Sequence, residues 1–328
     1  MEQRVLGKSG IQVSPMGLGS WAIGGQFYMD GKIDGYGETD DRMSIAAIRT
    51  ALDLGINFID TSDSYGIGHS EQLIGEAIEG RRSQVVLSTK FGYIGSEATK
   101  TLQGYNVAPD YIERACEASL RRLRTDYIDL YHLHVGEIGL SEIDLVIKTL
   151  DKLVSKGKIR TYGWSTDLTR AAKIFAEQQN CSTIQHEFNI LVGNEDILKL
   201  CEEKGLSSIN RSPLAMGLLS GKFKKDTTLS KEDVRGAGHS WTEAIFKNGK
   251  PNPDAFNKLD AIRDILTTGG RTLVQGSLAW IWAKSGVTIP IPGFKTVEQV
   301  KENAKAMDFG PLPQTQMKEI DKILKSID

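Results

Sequence analysis

From about residue 41 onward, short apolar runs of strand type alternate with amphipathic stretches of helical spacing, and few folds accommodate that alternation. Strand-like runs fall at 16–21, 56–60, 84–90, 127–133, 158–164, 181–187, 206–211 and 287–289. The stretch at 41–54 carries Ile45, Ala46, Ile48, Ala51 and Leu52 at helical spacing; that at 70–79 carries Leu73, Ile74, Ala77 and Ile78, with Ser70 as the expected N-cap. Further helices are expected at 109–123, 142–156, 168–178, 194–204, 254–267, 271–284, 296–305 and 314–326, with Gly157 and Gly205 as C-terminal stops. Eight strands with helices between them, in about 300 residues, predict an α/β fold of the closed (β/α)8 TIM-barrel type, one domain over residues 1–328. No Gly-x-Gly-x-x-Gly joins the first strand to the first helix, which argues against an open dinucleotide-binding sheet. Ahead of the first unit, 4–6 and 11–13 read as a β-hairpin around Gly7 and Gly10, placed as a plug across one end of the barrel. Three segments lack strand or helix periodicity: 22–41, expected to be an exposed loop; the stretch leading to about 107; and 221–255, polar, charged and turn-rich. They are expected as long loops on the C-terminal face.

Charge excludes some partners. Forty basic residues against forty-two acidic ones give a formal charge of −2, so nothing favours a nucleic acid or an anionic membrane surface. No apolar run has the length of a membrane span, and the first ten residues lack the apolar core of a secretion signal. The three cysteines, Cys116, Cys181 and Cys201, are odd in number and in no metal-binding spacing, as expected of buried thiols in a reduced cytoplasm.

Ionisable residues stand at the ends of three consecutive strands. Asp60 closes the second, Lys90 the third and His134 the fourth, while Tyr65 follows Asp60 in a short polar loop. On a parallel barrel these four meet at the C-terminal rim, where barrel enzymes carry their chemistry. A lone tyrosine is a weak acid at neutral pH, and a neighbouring ammonium favours its phenolate. An aspartate would hold that ammonium, and an imidazole would orient a carbonyl oxygen. The set suits protonation of an oxygen as hydride reaches the adjacent carbon. It includes no nucleophile with a partnered base. It holds no hydride source of its own either, and this chemistry implies a nicotinamide cofactor. Taken singly, each residue has an ordinary structural explanation: a strand-end cap for Asp60, its salt-bridge partner for Lys90, a loop tyrosine for Tyr65. Joint placement favours the catalytic reading. His132 and His134 share a strand face, but a zinc site needs a third protein ligand that the remaining histidines do not offer at a matching position, so no metal is expected. His132 reads as a hydrogen-bonded interior residue. Trp21, Tyr28, Phe91 and Tyr93 are candidates for a substrate pocket or for core.

At these residues the chain resembles the aldo-keto reductase superfamily over nearly its whole length. Phe58-Ile59-Asp60-Thr61 through Tyr65-Gly66 and Ser70-Glu71, then Thr89-Lys90, then Leu123 to His134 each resemble a family motif. The resemblance implies the catalytic set Asp60, Tyr65, Lys90 and His134, NADPH/NADP+ as cofactor, and a small carbonyl compound as substrate. It further implies cofactor contacts from Ser20, Trp21, Ser165, Thr166, Gln185, Arg211, Ser212, Leu214, Gly217, Lys222, Arg235, Gly293, Lys295, Thr296, Gln299, Glu302 and Asn303. Lys295 with Thr296 at a helix start would take the 2′-phosphate, which favours NADPH over NADH. Asp233-Val234-Arg235 would either fold over the pyrophosphate or belong to a solvated surface loop, and the sequence leaves both readings open. The chain departs from the pattern at three positions. Thr166 stands where Asn is usual, Arg211 where an aromatic residue stacks on nicotinamide, and Gln299 where many relatives carry Arg, as in the branch resembling potassium-channel β subunits. A bare cation at Arg211 is expected to repel an oxidised nicotinamide and so to favour the reduced cofactor.

Overall fold

A computed structural model describes residues 1–327; the last residue of the expected 1–328 domain lies outside the described residues. Eight parallel strands follow one another in chain order: β1 (Gly17–Gly19), β2 (Phe58–Asp60), β3 (Val86–Phe91), β4 (Ile128–Leu133), β5 (Ile159–Ser165), β6 (Cys181–Glu187), β7 (Ser207–Arg211) and β8 (Thr288–Pro290). A parallel bridge between Gly19 and Gly293 closes the sheet into a barrel, and the Gly19 amide donates to Pro292 O at 3.0 Å. Glycine is required at that seam, because a Cβ on Gly19 would lie 2.6 Å from Ile291 O.

The helices are α1 (Asp41–Asp53), α2 (His69–Ala77), α3 (Pro109–Leu123), α4 (Leu140–Ser155), α5 (Thr169–Ala176), α6 (Glu195–Lys204), α7 (Pro253–Thr267), α8 (Leu273–Lys284), α9 (Val297–Phe309) and α10 (Gln314–Lys325). Eight of them complete the strand–helix units; α7 and α10 are additions, and both pack on α8. That extra layer explains why α8 buries every residue from Leu273 to Trp282, where an ordinary barrel helix buries one stripe. Thr272 and Gln275 form a capping box at its start.

Strand periodicity divides the lumen into a floor and a mouth. Phe58, Val86, Leu130, Ile209 and Ile289 form one buried cluster with Leu6, Ile11 and Val13 of the N-terminal hairpin, Arg4–Val5 paired with Gln12–Val13. The hairpin therefore seals the end where the strands begin. Side chains at a spacing of two share a face. Asp60, Ser88 and Lys90, His132 and His134, and Arg211 thus project on the same side as that apolar floor, closer to the strands' C-terminal ends.

Three expectations about the connections change. The helix α2 starts one residue early, on a left-handed Gly68, and Ser70 is not its cap. Ser70 is fully buried, with its hydroxyl bonded to those of Thr61 at 2.9 Å and Ser20 at 2.8 Å. The stretch before 107 is an antiparallel hairpin, Tyr93–Ser96 with Thr101–Tyr105, extended by Tyr28–Met29 and Lys32–Ile33 into a four-stranded side sheet. The 22–41 loop is not simply exposed. Ile23 and Phe27 are fully buried, and Asp34 nearly so.

The 221–255 stretch meets that loop across the mouth. Val234 N donates to Gly35 O, Lys32 Nζ to Gly238 O and His239 Nε2 to Ile33 O, at 2.6–2.8 Å. Val234, Ile245 and Phe246 anchor the long loop in a second apolar cluster with α7 and α8. It is a packed element, built on a few apolar residues within a polar sequence.

Candidate active site

The loop that carries Tyr65 is an extension of the barrel. Past Asp60, Thr61 N donates to Ser88 O and Asp63 N to Lys90 O, so the backbone keeps pairing with β3 before it turns. Gly66 adopts φ 61°, and a Cβ there would lie 1.8 Å from Gly24 O. This close approach presses the tyrosine loop against the loop after β1.

The structure brings Asp60, Tyr65, Lys90 and His134 together. Lys90 Nζ donates to Asp60 Oδ2 at 2.6 Å, to Thr61 O at 2.8 Å and to the Tyr65 hydroxyl at 3.2 Å. Both side chains of the ion pair are withdrawn from solvent, 0% and 2% exposed for Lys90 and Asp60. Asp60 Oδ1 accepts from Ser88 Oγ at 2.8 Å and Gln185 Nε2 at 2.9 Å. The carboxylate thus has three donors, which offset the cost of burying its charge. Burial acts against the Lys90 charge, but Asp60 and Tyr65 outweigh it, and the lysine is held protonated above its ordinary range. For Tyr65 the balance runs otherwise than the lysine alone implies. Burial pushes the phenol above its usual value, and the opposing pull of Lys90 only partly offsets that. The free site holds a protonated phenol beside a permanent cation.

The His134 ring stands edge-on to Tyr65, centroids 5.7 Å apart, and to Tyr93 at 5.3 Å. Its Nδ1 meets Ser62 Oγ at 2.9 Å and Ser64 Oγ at 3.3 Å, while no hydrogen bond among the described residues engages Nε2. Burial first, then Lys90 and Arg211, keep this imidazole neutral, well below its usual range. A neutral ring fixed at Nδ1 can present Nε2 to a ligand oxygen. Trp21 stacks near Tyr65, centroids 6.3 Å apart, and Trp241 packs on Trp21 at 5.9 Å. Of the pocket candidates, Trp21 and Tyr93 border the site. Phe91 is core, fully buried against Tyr131 at 4.6 Å, and Tyr28 lies in the side sheet, 39% exposed.

On the cofactor side the arrangement is mixed. Ser165 and Gln185 are adjacent at the ends of β5 and β6, their polar atoms 3.5 Å apart, and one Gln185 amide hydrogen is already given to Asp60. Thr166 is fully engaged: its hydroxyl donates to Gly136 O at 2.6 Å and accepts from Leu168 N at 3.1 Å. Ser20 likewise gives its hydroxyl to Asp60 O at 2.9 Å, and the Trp21 indole donates to Asp34 O at 3.0 Å.

Arg211 is not a bare cation. Asp167 pairs with one guanidinium nitrogen, and Glu187 lies 3.7 Å from another. Two carboxylates against one guanidinium remove the premise of the expected preference for reduced nicotinamide. After β7, Ser212, Ala215 and Met216 adopt φ of 51°, 47° and 53°, with Gly217 at 90°. Three non-glycine residues in left-handed conformation within five positions mark a strained turn of the kind that concentrates at ligand sites. Leu214 lies between Ser212 and this run, half-buried against both major apolar clusters.

Beyond the turn, cations converge. Burial lowers the Lys222 ammonium below its ordinary value, assisted by Arg235 and Lys295; burial and Arg235 likewise lower Lys295. Arg235 is clamped by both oxygens of Asp233 and donates to Met216 O at 3.1 Å. Lys295 Nζ donates to Tyr36 O at 3.0 Å and Glu38 O at 2.6 Å, which ties the start of α9 to the loop after β1. Thr296 caps α9, and Gln299 Oε1 accepts from Lys295 N at 2.7 Å. Asn303 Nδ2 reaches Gly293 O at 3.4 Å; Glu302 uses its backbone oxygen on Gln275, and Gly293 is exposed, where a Cβ would meet only Gly19 O at 3.9 Å. Two lysines with lowered ammonium groups, Lys222 and Lys295, together with the Arg235 guanidinium beside a helix N-terminus, fit a phosphate-bearing ligand. Ser165 and Gln185 fit an amide. Among the described residues no group of three or more His, Cys, Asp or Glu side chains is placed to hold a metal ion, and no helix is long and apolar enough to cross a membrane.

Several residues at the site escaped sequence reasoning: Ser62 and Ser64 on His134, and Ser88 and Thr183 below Asp60; His132 between the last two is the hydrogen-bonded interior residue expected. The hydroxyl-rich run Thr61-Ser62-Asp63-Ser64 and the two-residue spacing of Ser88 from Lys90 were the available signals.

Comparison with known proteins matches residues 15–325 to the Aldo/keto reductase family. The chain is 31% identical to aldo-keto reductase YhdN of Bacillus subtilis, over 99% of this chain and 94% of that protein. It is 34% identical to aldo-keto reductase yakc [NADP(+)] of Schizosaccharomyces pombe, over 83% of this chain and 80% of that one. The solved structure of glycerol dehydrogenase AKR11B4 from Gluconobacter oxydans superimposes with a TM-score of 0.81 at 30% identity, covering 96% and 92% of the two chains.

Proposed function

Because the chain belongs to the aldo/keto reductase family, we propose that its four rim residues carry out NADP(H)-dependent reduction of an aldehyde or ketone to the alcohol. The observation that carries this reading is the buried series Asp60–Lys90–Tyr65, joined at 2.6 and 3.2 Å beside a neutral His134 with Nε2 free. NADPH, when bound, would supply the hydride for the carbonyl carbon. His134 Nε2 orients the carbonyl oxygen, and the Tyr65 hydroxyl gives it a proton. Burial keeps that phenol protonated across the neutral range, so the acid is loaded before substrate arrives. Lys90, held charged by Asp60, then stabilises the phenolate that remains. Ser165 and Gln185 would hold the carboxamide end, without the contribution expected of Thr166. Lys222, Arg235 and Lys295 would take the phosphates, which favours NADPH over NADH. The name of the Schizosaccharomyces pombe relative specifies NADP(+). Burial raises the thiols of Cys116, Cys181 and Cys201 to about 12, which suits a reducing cytoplasm.

Initial rates with NADPH and NADH on a panel of small aldehydes and ketones test this. Turnover with NADPH and weak or no turnover with NADH is expected; no carbonyl reduction with either would overturn it. A second reading is an NADPH-binding regulatory subunit with slow turnover, related to the potassium-channel β branch. The latch of Lys295 and the 221–255 segment onto the loop after β1 favours slow cofactor exchange. A burst of NADP+ formation followed by a much slower steady state would support it.

A further inference from the structure

Directly beneath Lys90, one row of the barrel is polar. Asp60 on β2, Ser88 on β3, His132 on β4 and Thr183 on β6 are each at most 1% exposed. Between the last two, β5 contributes Gly163, in register with His132 on one side and Thr183 on the other. A Cβ on Gly163 would stand 2.3 Å from Thr183 Oγ1 and 2.8 Å from His132 Cδ2. The imidazole therefore crosses β5 through the space a side chain would fill. Its Nε2 lies 2.8 Å from Thr183 Oγ1, and its Nδ1 lies 3.3 Å from Ser88 Oγ.

Proton counting gives these contacts a direction. Ser88 has one hydroxyl hydrogen, and it is given to Asp60 Oδ1 at 2.8 Å. Its oxygen can then only accept from His132, which places a hydrogen on Nδ1. Burial, reinforced by Lys90, keeps this imidazole neutral, so Nε2 is bare and accepts from Thr183. Every donor in the series, Thr183 to His132 to Ser88 to Asp60, points toward the carboxylate. Gln185 Nε2 reaches the same Oδ1 from β6 across the lumen.

We propose that His132 is a positioning residue for the proton donor: as the Nδ1–H tautomer it orients Ser88 on Asp60, and through Asp60 and Lys90 it fixes the Tyr65 hydroxyl. No hydrogen bond among the described residues joins His132 to Tyr65 or Lys90, so its influence passes through Ser88. A leucine would fill the space but leave the Ser88 oxygen without its donor and the Thr183 hydroxyl without its acceptor, while Ser88 keeps Asp60. Ser88 would donate less strongly, negative charge would collect on Asp60, and Lys90 would be less constrained toward Tyr65. Both changes raise the phenol's pKa. The other groups facing Tyr65 are His134 and Tyr93 from the segments after β4 and β3, Tyr36 from the loop after β1, and Arg211 from the end of β7; these are untouched.

The inference rests on Tyr65 as proton donor, so Tyr65→Phe is assayed alongside. Asn at 132 can keep the donor to Ser88, whereas Gln can keep only the acceptor for Thr183. His132→Asn is expected within about twofold of wild-type kcat/KM, and His132→Gln and His132→Leu about tenfold down. In the latter two the high-pH limb of carbonyl reduction should move to higher pH while NADPH affinity holds. A folded His132→Leu with the wild-type rate and pH profile, beside an inactive Tyr65→Phe, overturns the role of His132 alone. An active Tyr65→Phe overturns the reading beneath it. The 15N imidazole signals of the wild-type protein, assigned by difference from folded His132→Asn, should show hydrogen on Nδ1; hydrogen on Nε2 contradicts the proposal whatever the rates of the variants.

Discussion

Replacing Lys90 by methionine isolates the energetics of the site from its chemistry. Methionine matches the length of the lysine stem and fits a closed apolar space, so the main loss is the ammonium. That ammonium donates to Asp60 Oδ2, Thr61 O and the Tyr65 hydroxyl, and neither charged side chain is more than 2% exposed. Removing one partner of a buried ion pair costs about 3–5 kcal/mol, because the other charge is left uncompensated. Here Asp60 keeps Ser88 and Gln185 as donors on Oδ1, so the low end, about 3 kcal/mol, is expected. In Asp60→Asn/Lys90→Met no charge is stranded, and the double variant should recover about 2 kcal/mol relative to Lys90→Met. Urea unfolding of wild type, Asp60→Asn, Lys90→Met and the double variant at neutral pH, with a common m-value, completes the cycle. A Lys90→Met protein within about 1 kcal/mol of wild type would refute the reasoning, as would a double variant no more stable than Lys90→Met.

Two other outcomes follow from charge placement. Asp34 is buried with Oδ1 accepting no hydrogen bond and His239 Nε2 3.9 Å from it, and burial raises its carboxyl to about 6, partly opposed by His239. A raised carboxyl contributes stability that is complete below its unfolded value, near 4, and is lost as pH rises through about 6. Asp34→Asn should therefore stabilise the protein at pH 7.5, by roughly 1–3 kcal/mol, and leave it nearly unchanged at pH 4; equal effects at the two pH values in thermal unfolding would contradict this. Lys295→Ala should weaken NADPH binding by about tenfold or more while changing NADH little. Equal losses for the two cofactors in fluorescence titration would mean that Lys295 acts only by tying down the loop at Tyr36 and Glu38.

The barrel was legible because its strands are buried on both faces and its helices on one, so pattern and burial agree. Lumen-facing pairs such as Phe58 and Asp60, or Val86 and Ser88, repeat at two residues and reveal where floor gives way to mouth. The catalytic set was legible for the same reason, since Asp60, Lys90 and His134 end or directly follow adjacent strands. Connections were less so. Ile23 and Phe27 are single anchors in a polar stretch, and nothing local shows that Gly24 will meet the Tyr65 loop. Tyr93–Ser96 and Thr101–Tyr105 lack clean alternation, and the second of them also pairs with Tyr28–Met29, which is remote in sequence. Gln185 reaches Asp60 across 125 positions, a contact set by barrel closure and not by any motif. Arg211 misled for a related reason: its neutralising partners, Asp167 and Glu187, sit on different loops and strands, so its charge looked bare in the sequence.

The most direct test is single-turnover oxidation of bound NADPH by a reducible aldehyde, followed in wild type and Tyr65→Phe at matched cofactor saturation. The account predicts that Tyr65→Phe binds NADPH as tightly as wild type but transfers hydride at least about a hundredfold more slowly, the span ascribed to a positioned general acid. Hydride transfer at the wild-type rate without the Tyr65 hydroxyl would contradict it.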